Sequence, residues 1–554
     1  MPIIVINMYT ISEVLIEFLK FVNINTIFGV PGSNMDFLKY VYDDKSIKFI
    51  SNKDEKNSVY MAMGYTKASN KISCCFGSVG AGAFNLVPGV ISAYYESTPV
   101  LVIGGQVPLI HKGKNAFQES TGIANTISQL KLFKNITLYS ETIDPKKMYK
   151  QLEQVYFHLH DFKSGPVYLE LPSDIMNQKI TFDINKFNRI KLNFNNYKLK
   201  MLKQYKKELL KVNLLISDLN KSKLPIIIIG EGSKYSSKLI ENLAWRLKIP
   251  IFSTFKGKDK ISNDFKFYMG CIGLIGTDTI NNYVKESDMI ISIGASLSQF
   301  SSNNWKLISD SKIYRLDTIT NNISKNRGII IRYDSNKIIN LLLKKIIMPK
   351  NKKQDLINLK NSIINELNQN NSDQGLKINL INTLQKVIPN NAIIVSEDIL
   401  LVGKFLKFYN QNTNINFTNL APIGCALPGA IGAKIACPKN IVIAILGDGG
   451  FNMAISELNT IQNNNLKLII ILLNNCAYGT VYKYQKYKFN KHFYTTYQNP
   501  NYLKMGRLYN MDTYNINSIT QIKNILVKAF KYNIHSTIIN INIDKNEKIG
   551  CKIY

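Results

Sequence analysis

The feature that most restricts the fold of this chain is a recurring short run of apolar, largely β-branched residues. Such runs occupy residues 24–30, 73–77, 99–104, 225–229, 289–293, 392–395, 441–446 and 468–473. Each is stopped by Gly, Pro or Asn, and longer amphipathic stretches separate them. A run apolar at nearly every position has no face to offer water, so it reads as a parallel strand covered by helices on both sides. The pattern predicts an α/β fold with ligands received at the carboxyl ends of the strands. A chain of 554 residues exceeds one hydrophobic core, and at about 100–200 residues per domain it should hold three. Two polar stretches interrupt the rhythm, 183–207 and 348–375, the second containing PKNKKQ and NQNNSDQG; each reads as a linker, parts of which could be solvated helix. They divide the chain into three doubly wound parallel-sheet domains at 1–185, 205–350 and 375–554.

Composition then removes several classes of function. The apolar fraction of 45% excludes a disordered chain. The net charge of +31 invites a nucleic-acid reading, but only six of the 69 basic residues are arginine. Arginine is the side chain that reads phosphates and bases by bidentate contacts, and the lysines are scattered without aromatic interleaving. No nucleic-acid partner is therefore expected. Seven cysteines without a C-x-x-C pair fit a reducing compartment. Neither a secretory leader nor an apolar run of membrane-spanning length is visible, so a cytoplasmic protein with no membrane partner is expected. His158 and His160 are two apart on an expected helix and face different sides, a poor geometry for joint metal binding.

The strongest chemical signal lies in the third domain. Gly447-Asp448-Gly449-Gly450 follows the run at 441–446, and Asn474-Asn475 follows the next run, with Glu457-Leu458 between them. A carboxylate and an amide oxygen then stand on neighbouring strand tips. Hard oxygen donors of this kind suit Mg²⁺. The glycines would let main-chain N–H groups approach phosphate oxygens, and the helix that follows would point its positive end at them.

This arrangement resembles the diphosphate-binding signature of the thiamine-diphosphate enzymes, the family that includes acetolactate synthase and pyruvate decarboxylase. The resemblance implies that Asp448, Asn475 and the carbonyl of Ala477 hold Mg²⁺, with Gly447, Gly449 and Gly450 at the cofactor. It extends to the first domain. In Asn52-Lys53-Asp54-Glu55, followed by Gly64-Tyr65, Glu55 takes the place of the family's catalytic glutamate, the acid at N1′ of the aminopyrimidine. Phe28-Gly29-Val30-Pro31-Gly32 is similar to the family's first strand and turn, which puts Val30 near the cofactor. Ser78-Val79-Gly80-Ala81-Gly82 resembles a glycine-rich turn beside the reacting centre, which singles out Gly80. Asn115-Ala116-Phe117-Gln118-Glu119 resembles the D-A-F-Q-E segment of acetolactate synthases, whose phenylalanine and glutamine approach the substrate. Phe117 and Gln118 are the corresponding residues. In Ala421-Pro422-Ile423-Gly424, Ile423 stands where a bulky apolar residue bends the cofactor, and the Ala421 carbonyl where the aminopyrimidine is accepted.

The resemblance implies decarboxylation of pyruvate and ligation of the two-carbon fragment to a second 2-oxo acid, giving 2-acetolactate. It also implies at least a homodimer, or a homotetramer, with the cofactor between the first domain of one subunit and the third of another. Whether a regulatory subunit joins them is left open. Simple decarboxylation to an aldehyde is the alternative, and an inactive scaffold the non-enzyme one. Several residues depart from the pattern. Asp54 replaces a histidine, and Tyr484 a tryptophan. Glu397-Asp398-Ile399-Leu400-Leu401 lacks the glycine and polar residues expected at a diphosphate contact. FAD, which biosynthetic acetolactate synthases carry beside a G-A-R-F segment, is put in question by Gly294-Ala295-Ser296-Leu297, which has no arginine.

Overall fold

The computed structural model describes residues 7–33, 35–204, 208–317, 328–332, 334–345, 355–369, 375–531 and 534–547. Three six-stranded sheets organise it, every pairing within them parallel. The first runs Lys48–Ser51, Thr26–Gly29, Ser73–Gly77, Val100–Gln106, Val167–Pro172, Tyr139–Thr142 from edge to edge. The third runs Asn414–Ile415, Ile393–Ser396, Val442–Gly447, Ile469–Asn474, Thr537–Asn542, Asp512–Ile516, with the same strand order. The middle sheet runs Tyr268–Cys271, Ile251–Ser253, Pro225–Ile229, Met289–Ile293, Lys312–Leu316, Ile329–Ile331, the order of doubly wound dinucleotide-binding domains. A short antiparallel ribbon, Met8–Thr10 with Lys179–Thr181, closes the first unit. The expected α/β class with three parallel sheets is thus the observed one. Among the described residues no helix is long and apolar enough to cross a membrane.

The central strands are buried throughout because both their faces carry Ile, Val and Leu against helices. The Asn- and Lys-rich stretch after residue 183 is a helix, Ile184–Gln204. Its Phe187, Ile190 and Phe194 pack into the core under the first sheet, so the first unit reaches past 185. The second polar stretch falls partly outside the described residues, apart from the helix Leu356–Gln369.

Two devices lock the units together. The helices Glu55–Ser69 and Ala426–Ala436 meet backbone to backbone. A Cβ placed on Gly432 would fall 2.6 Å from the Met61 carbonyl carbon, and one on Gly64 would fall 2.7 Å from that of Gly429. Only glycine permits such an approach. The second device is a charge cluster. Glu96, its side chain fully buried, meets Lys256 at 2.6 Å and Lys67 at 3.3 Å, and accepts from the Asn419 main chain at 2.8 Å. Lys67 also meets Glu231 at 2.8 Å. First, middle and third units all contribute to it.

Candidate active site

In an open parallel sheet a ligand settles where strand order reverses, because neighbouring loops leave in opposite directions there. In the first sheet that point lies between Thr26–Gly29 and Ser73–Gly77. The turn bearing Val30 and Gly32 packs there on Ser78. Glu55 opens the helix Glu55–Ser69, with Asp54 as its N-cap accepting from Lys56 N. Its carboxylate lies at the same turn. Asn85 Nδ2 donates to Glu55 Oε2 at 3.1 Å, and a Cβ on Gly82 would come 3.1 Å from Oε1. Gly80, at φ +64°, packs on Gln118, whose own φ is also +64°. Glu119 fastens the loop carrying Gln118 by accepting from Gly113 N, Ala116 N and Thr121 Oγ1. Glu55, Val30, Gly80 and Gln118 are thereby gathered at one sheet end. Phe117, 88% exposed, projects from the loop into open space.

The third sheet reverses between Ile393–Ser396 and Val442–Gly447, and the G-D-G-G turn stands at that point. Asp448 is 1% exposed. Its Oδ2 accepts from Asn499 Nδ2 at 2.6 Å, while Oδ1 has no hydrogen-bond partner. Burial pushes this carboxyl above the usual carboxylate range, only partly offset by the Asn499 hydrogen bond. Asn475 stands beside it on the next strand tip, its Oδ1 accepting from Ala477 N at 3.1 Å. Main-chain bonds from Tyr478 N to Thr495 O and from Tyr497 N to Cys476 O clamp a strap, residues 495–499, across this loop. The buried Tyr497 hydroxyl lies against the Asp448 carboxyl.

Glu397 sits at the same reversal point. Its Oε1 accepts from Ala426 N at 2.8 Å, which ties the loop carrying Ala421 and Ile423 to the start of the helix Ala426–Ala436. Ala421 is at φ +52° and Cys476 also at +52°. Ile423 is 45% exposed, and the next residue, Gly424, packs on Met453. The two clusters are linked through Glu457, which accepts from Lys53 N at 3.2 Å and Asn57 Nδ2 at 3.0 Å, next to Glu55 in sequence.

Comparison with known proteins finds family matches in three consecutive stretches of the chain. Residues 9–126 match the family described as thiamine pyrophosphate enzyme, N-terminal TPP binding domain. Residues 212–342 match its central domain and 400–541 its C-terminal TPP binding domain. The chain belongs to the thiamine pyrophosphate enzymes. It is 28% identical over 552 residues to the probable acetolactate synthase large subunit of Methanococcus aeolicus, covering 94% of this chain and 89% of that protein. It is 28% identical over 563 residues to the one from Methanocaldococcus jannaschii, covering 97% and 92%. The acetolactate synthase large subunit of Haemophilus influenzae is 25% identical over 571 residues, covering 97% and 95%.

The donor set fits the family's metal and cofactor. A buried carboxylate with one oxygen unmatched, on the strand tip neighbouring that of Asn475, offers hard oxygen donors of the kind a divalent cation takes. The glycines beside it have more than one reason. Gly447 is open on its side-chain face, whereas Gly449 lies 2.9 Å under the Tyr478 ring and Gly450 3.0 Å from the Glu397 carboxyl carbon, each measured from where a Cβ would stand. The 397–401 segment also differs from a phosphate contact. Asp398 caps its own helix by accepting from Leu401 N, and Leu401 and Val402 are core residues.

FAD finds no such fit at the middle sheet. At its reversal point Gly230 N donates to Ile293 O and Gly232 N to Gly294 O, so those N–H groups are already engaged. A Cβ on Gly230 would lie 2.5 Å from the Ala295 Cα, and the buried Arg315 donates to the Ala295 carbonyl at 2.9 Å. Glu231 adds a carboxylate at the turn where a diphosphate would sit. Sequence reasoning missed Asn499 and Tyr497, which no motif spacing marks. It quoted Glu457 and Glu397 without giving either a task. For Glu397 the signal was present, an acid immediately after a strand at the reversal point.

Proposed function

We propose that this enzyme decarboxylates pyruvate and joins the two-carbon fragment to a second 2-oxo acid, releasing 2-acetolactate. The observation that carries the reading is the pair of half-sites. Glu55 stands at a helix start on the first sheet, and Asp448 keeps an oxygen free beside Asn475 on the third. Similarity to proteins named acetolactate synthase large subunit along nearly the whole chain supports ligation over simple decarboxylation. Thiamine diphosphate, when bound, supplies a nucleophilic carbon and accepts the electron pair left by CO₂. The protein's part is positioning and proton management. Asp448 Oδ1, Asn475 Oδ1 and the Ala477 carbonyl hold Mg²⁺, and the turn at Gly447–Gly450 receives the diphosphate. The Glu55 carboxyl holds a proton at N1′ of the aminopyrimidine. The Ala421 carbonyl accepts from the aminopyrimidine, and Ile423 props it. Gln118 and Phe117 meet the 2-oxo acid beside Gly80 and Val30.

Exposed apolar surfaces support assembly into at least a homodimer. Phe117, Ile123 and Ile127 on the first unit, and Leu420, Ile423 and Met453 on the third, are exposed apolar groups beside the two half-sites. A second copy would cover both. The test is pyruvate turnover with thiamine diphosphate and Mg²⁺, following CO₂, acetolactate and acetaldehyde together, beside Glu55→Gln. Acetolactate as the main product, lost in the variant, is the expected result. Acetaldehyde as the main product would make the enzyme a decarboxylase, and activity in a strict monomer would remove the shared site.

A further inference from the structure

From outside both loops, Asn499 reaches the candidate ligand Asp448 and Asn474, the chain neighbour of the candidate ligand Asn475. Its Nδ2 donates to Asp448 Oδ2 at 2.6 Å and to Asn474 Oδ1 at 2.9 Å. One amide therefore spans the turn after Val442–Gly447 and the turn after Ile469–Asn474. Its orientation is determined by its surroundings. The amide carries both its donors on one side, and that side faces Asp448 and Asn474. The oxygen on the other side accepts from Asn452 Nδ2 at 3.1 Å, and Asn452 Oδ1 in turn accepts from the Tyr502 hydroxyl at 2.8 Å. Main-chain bonds between 495–497 and 476–478 hold the strap that delivers Asn499. Asp448 is left with one oxygen fixed and the other, Oδ1, unmatched in a buried setting.

We propose that Asn499 is the positioning residue of the divalent-cation site. By holding Asp448 Oδ2 and Asn474 Oδ1 at once, it fixes the carboxylate rotamer and the separation of the two loops. Asp448 Oδ1, Asn475 Oδ1 and the Ala477 carbonyl then converge on one ion. This rests on the thiamine-diphosphate reading of the site but assigns a task to a residue outside its ligand set. Groups that orient metal ligands typically matter about 10- to 100-fold in metal affinity.

The experiment is equilibrium dialysis of thiamine diphosphate against the full-length protein over a Mg²⁺ series, wild type beside Asn499→Ala and Asn452→Ala. Asn499→Ala should raise the Mg²⁺ needed for half-maximal cofactor retention roughly 10- to 100-fold, while retention at saturating Mg²⁺ stays near wild type. Asn452→Ala, which frees the amide to turn and also removes the acceptor of the Tyr502 hydroxyl, should shift the same midpoint in the same direction by less. A merely structural role would instead lower cofactor retention equally at every Mg²⁺ concentration and lower the melting temperature in EDTA. Either that pattern or an unmoved Mg²⁺ midpoint overturns the proposal. If the wild type retains no cofactor at any Mg²⁺, the cofactor reading falls, and Mn²⁺ binding followed by the loss of its free electron-spin signal decides the matter. Weaker Mn²⁺ binding in Asn499→Ala supports the positioning role; equal binding, or none in the wild type, ends it.

Discussion

Gly432→Ala tests how far the position of Glu55 depends on a contact made far along its helix. The added methyl would start 2.6 Å from the Met61 carbonyl carbon, whereas carbon atoms rest at about 3.5–4.0 Å. Roughly 1 Å of separation between the helices Glu55–Ser69 and Ala426–Ala436 is therefore required. Backbone lies on both sides, so no side-chain rotation can supply it. Overpacking of this kind costs about 1–3 kcal/mol, which corresponds to a fall in melting temperature of roughly 2–10 °C. The same displacement moves the helix that Glu55 begins and the helix that follows Ala421 and Ile423. A misplacement of about 1 Å can cost on the order of 100-fold in rate. Calorimetry and steady-state pyruvate turnover should therefore fall together, and Gly64→Ala should behave alike. An unchanged melting temperature with unchanged turnover would refute the account of this crossing.

Asp448→Asn should abolish Mg²⁺-dependent cofactor retention, yet melt at an equal or higher temperature in EDTA, because it removes a buried charge whose pKa burial has raised; a lower melting temperature counts against the reading. The charge cluster sets a pH window. Burial alone would raise the Glu231 carboxyl, but Lys67 and Lys256 outweigh it and hold the pKa low. Lys67, whose charge burial opposes, is raised by Glu231 and Glu96. Stability from Glu231 is then complete above about pH 4.3 and lost as pH falls further, while that from Lys67 is complete below about pH 10.4 and lost above it. Glu231→Gln should flatten the acid limb of a melting-temperature profile and also weaken the limb above pH 10, because Glu231 raises Lys67 more than Glu96 does and only Glu96 would remain. Iodoacetamide should label Cys476 ahead of Cys74, Cys75, Cys271, Cys425 and Cys437, which are buried or half-buried. Mass spectrometry should find that label reduced by thiamine diphosphate with Mg²⁺.

The central strands were legible because burial on both faces leaves an uninterrupted apolar signature. The runs at 73–77, 225–229 and 289–293 coincide with observed strands to the residue. Edge strands carry no such mark. Asp512–Ile516 reads DTYNI and Tyr139–Thr142 reads YSET, half-polar sequences that become strands only because a neighbour completes their hydrogen bonds. The candidate site divides along the same line. Glu55, Asp448 and Asn475 stand in motifs with local spacing, so the sequence marks them. Asn499 meets Asp448 only because a strap folds back across the strand tips, and Glu457 meets Asn57 only because two units dock. Contacts of that range leave no periodicity in one dimension. The helix Ile184–Gln204 was obscured for a different reason. Its three buried aromatic and aliphatic anchors are diluted among asparagines and lysines on the solvent side.

The cluster around Glu96 limits how modular this three-unit chain can be. Its carboxylate is sealed from water while its partners come from elsewhere, Lys256 from the middle unit and the Asn419 main chain from the third. Excising the middle unit would strip a buried anion of Lys256, which typically costs more than the ion pair itself contributes. A graft from a relative would have to bring a cation at the place of Lys256 and an anion at that of Glu231, or see both borders reopen. Each sheet has its own core, but inheritance can exchange them only as a matched set.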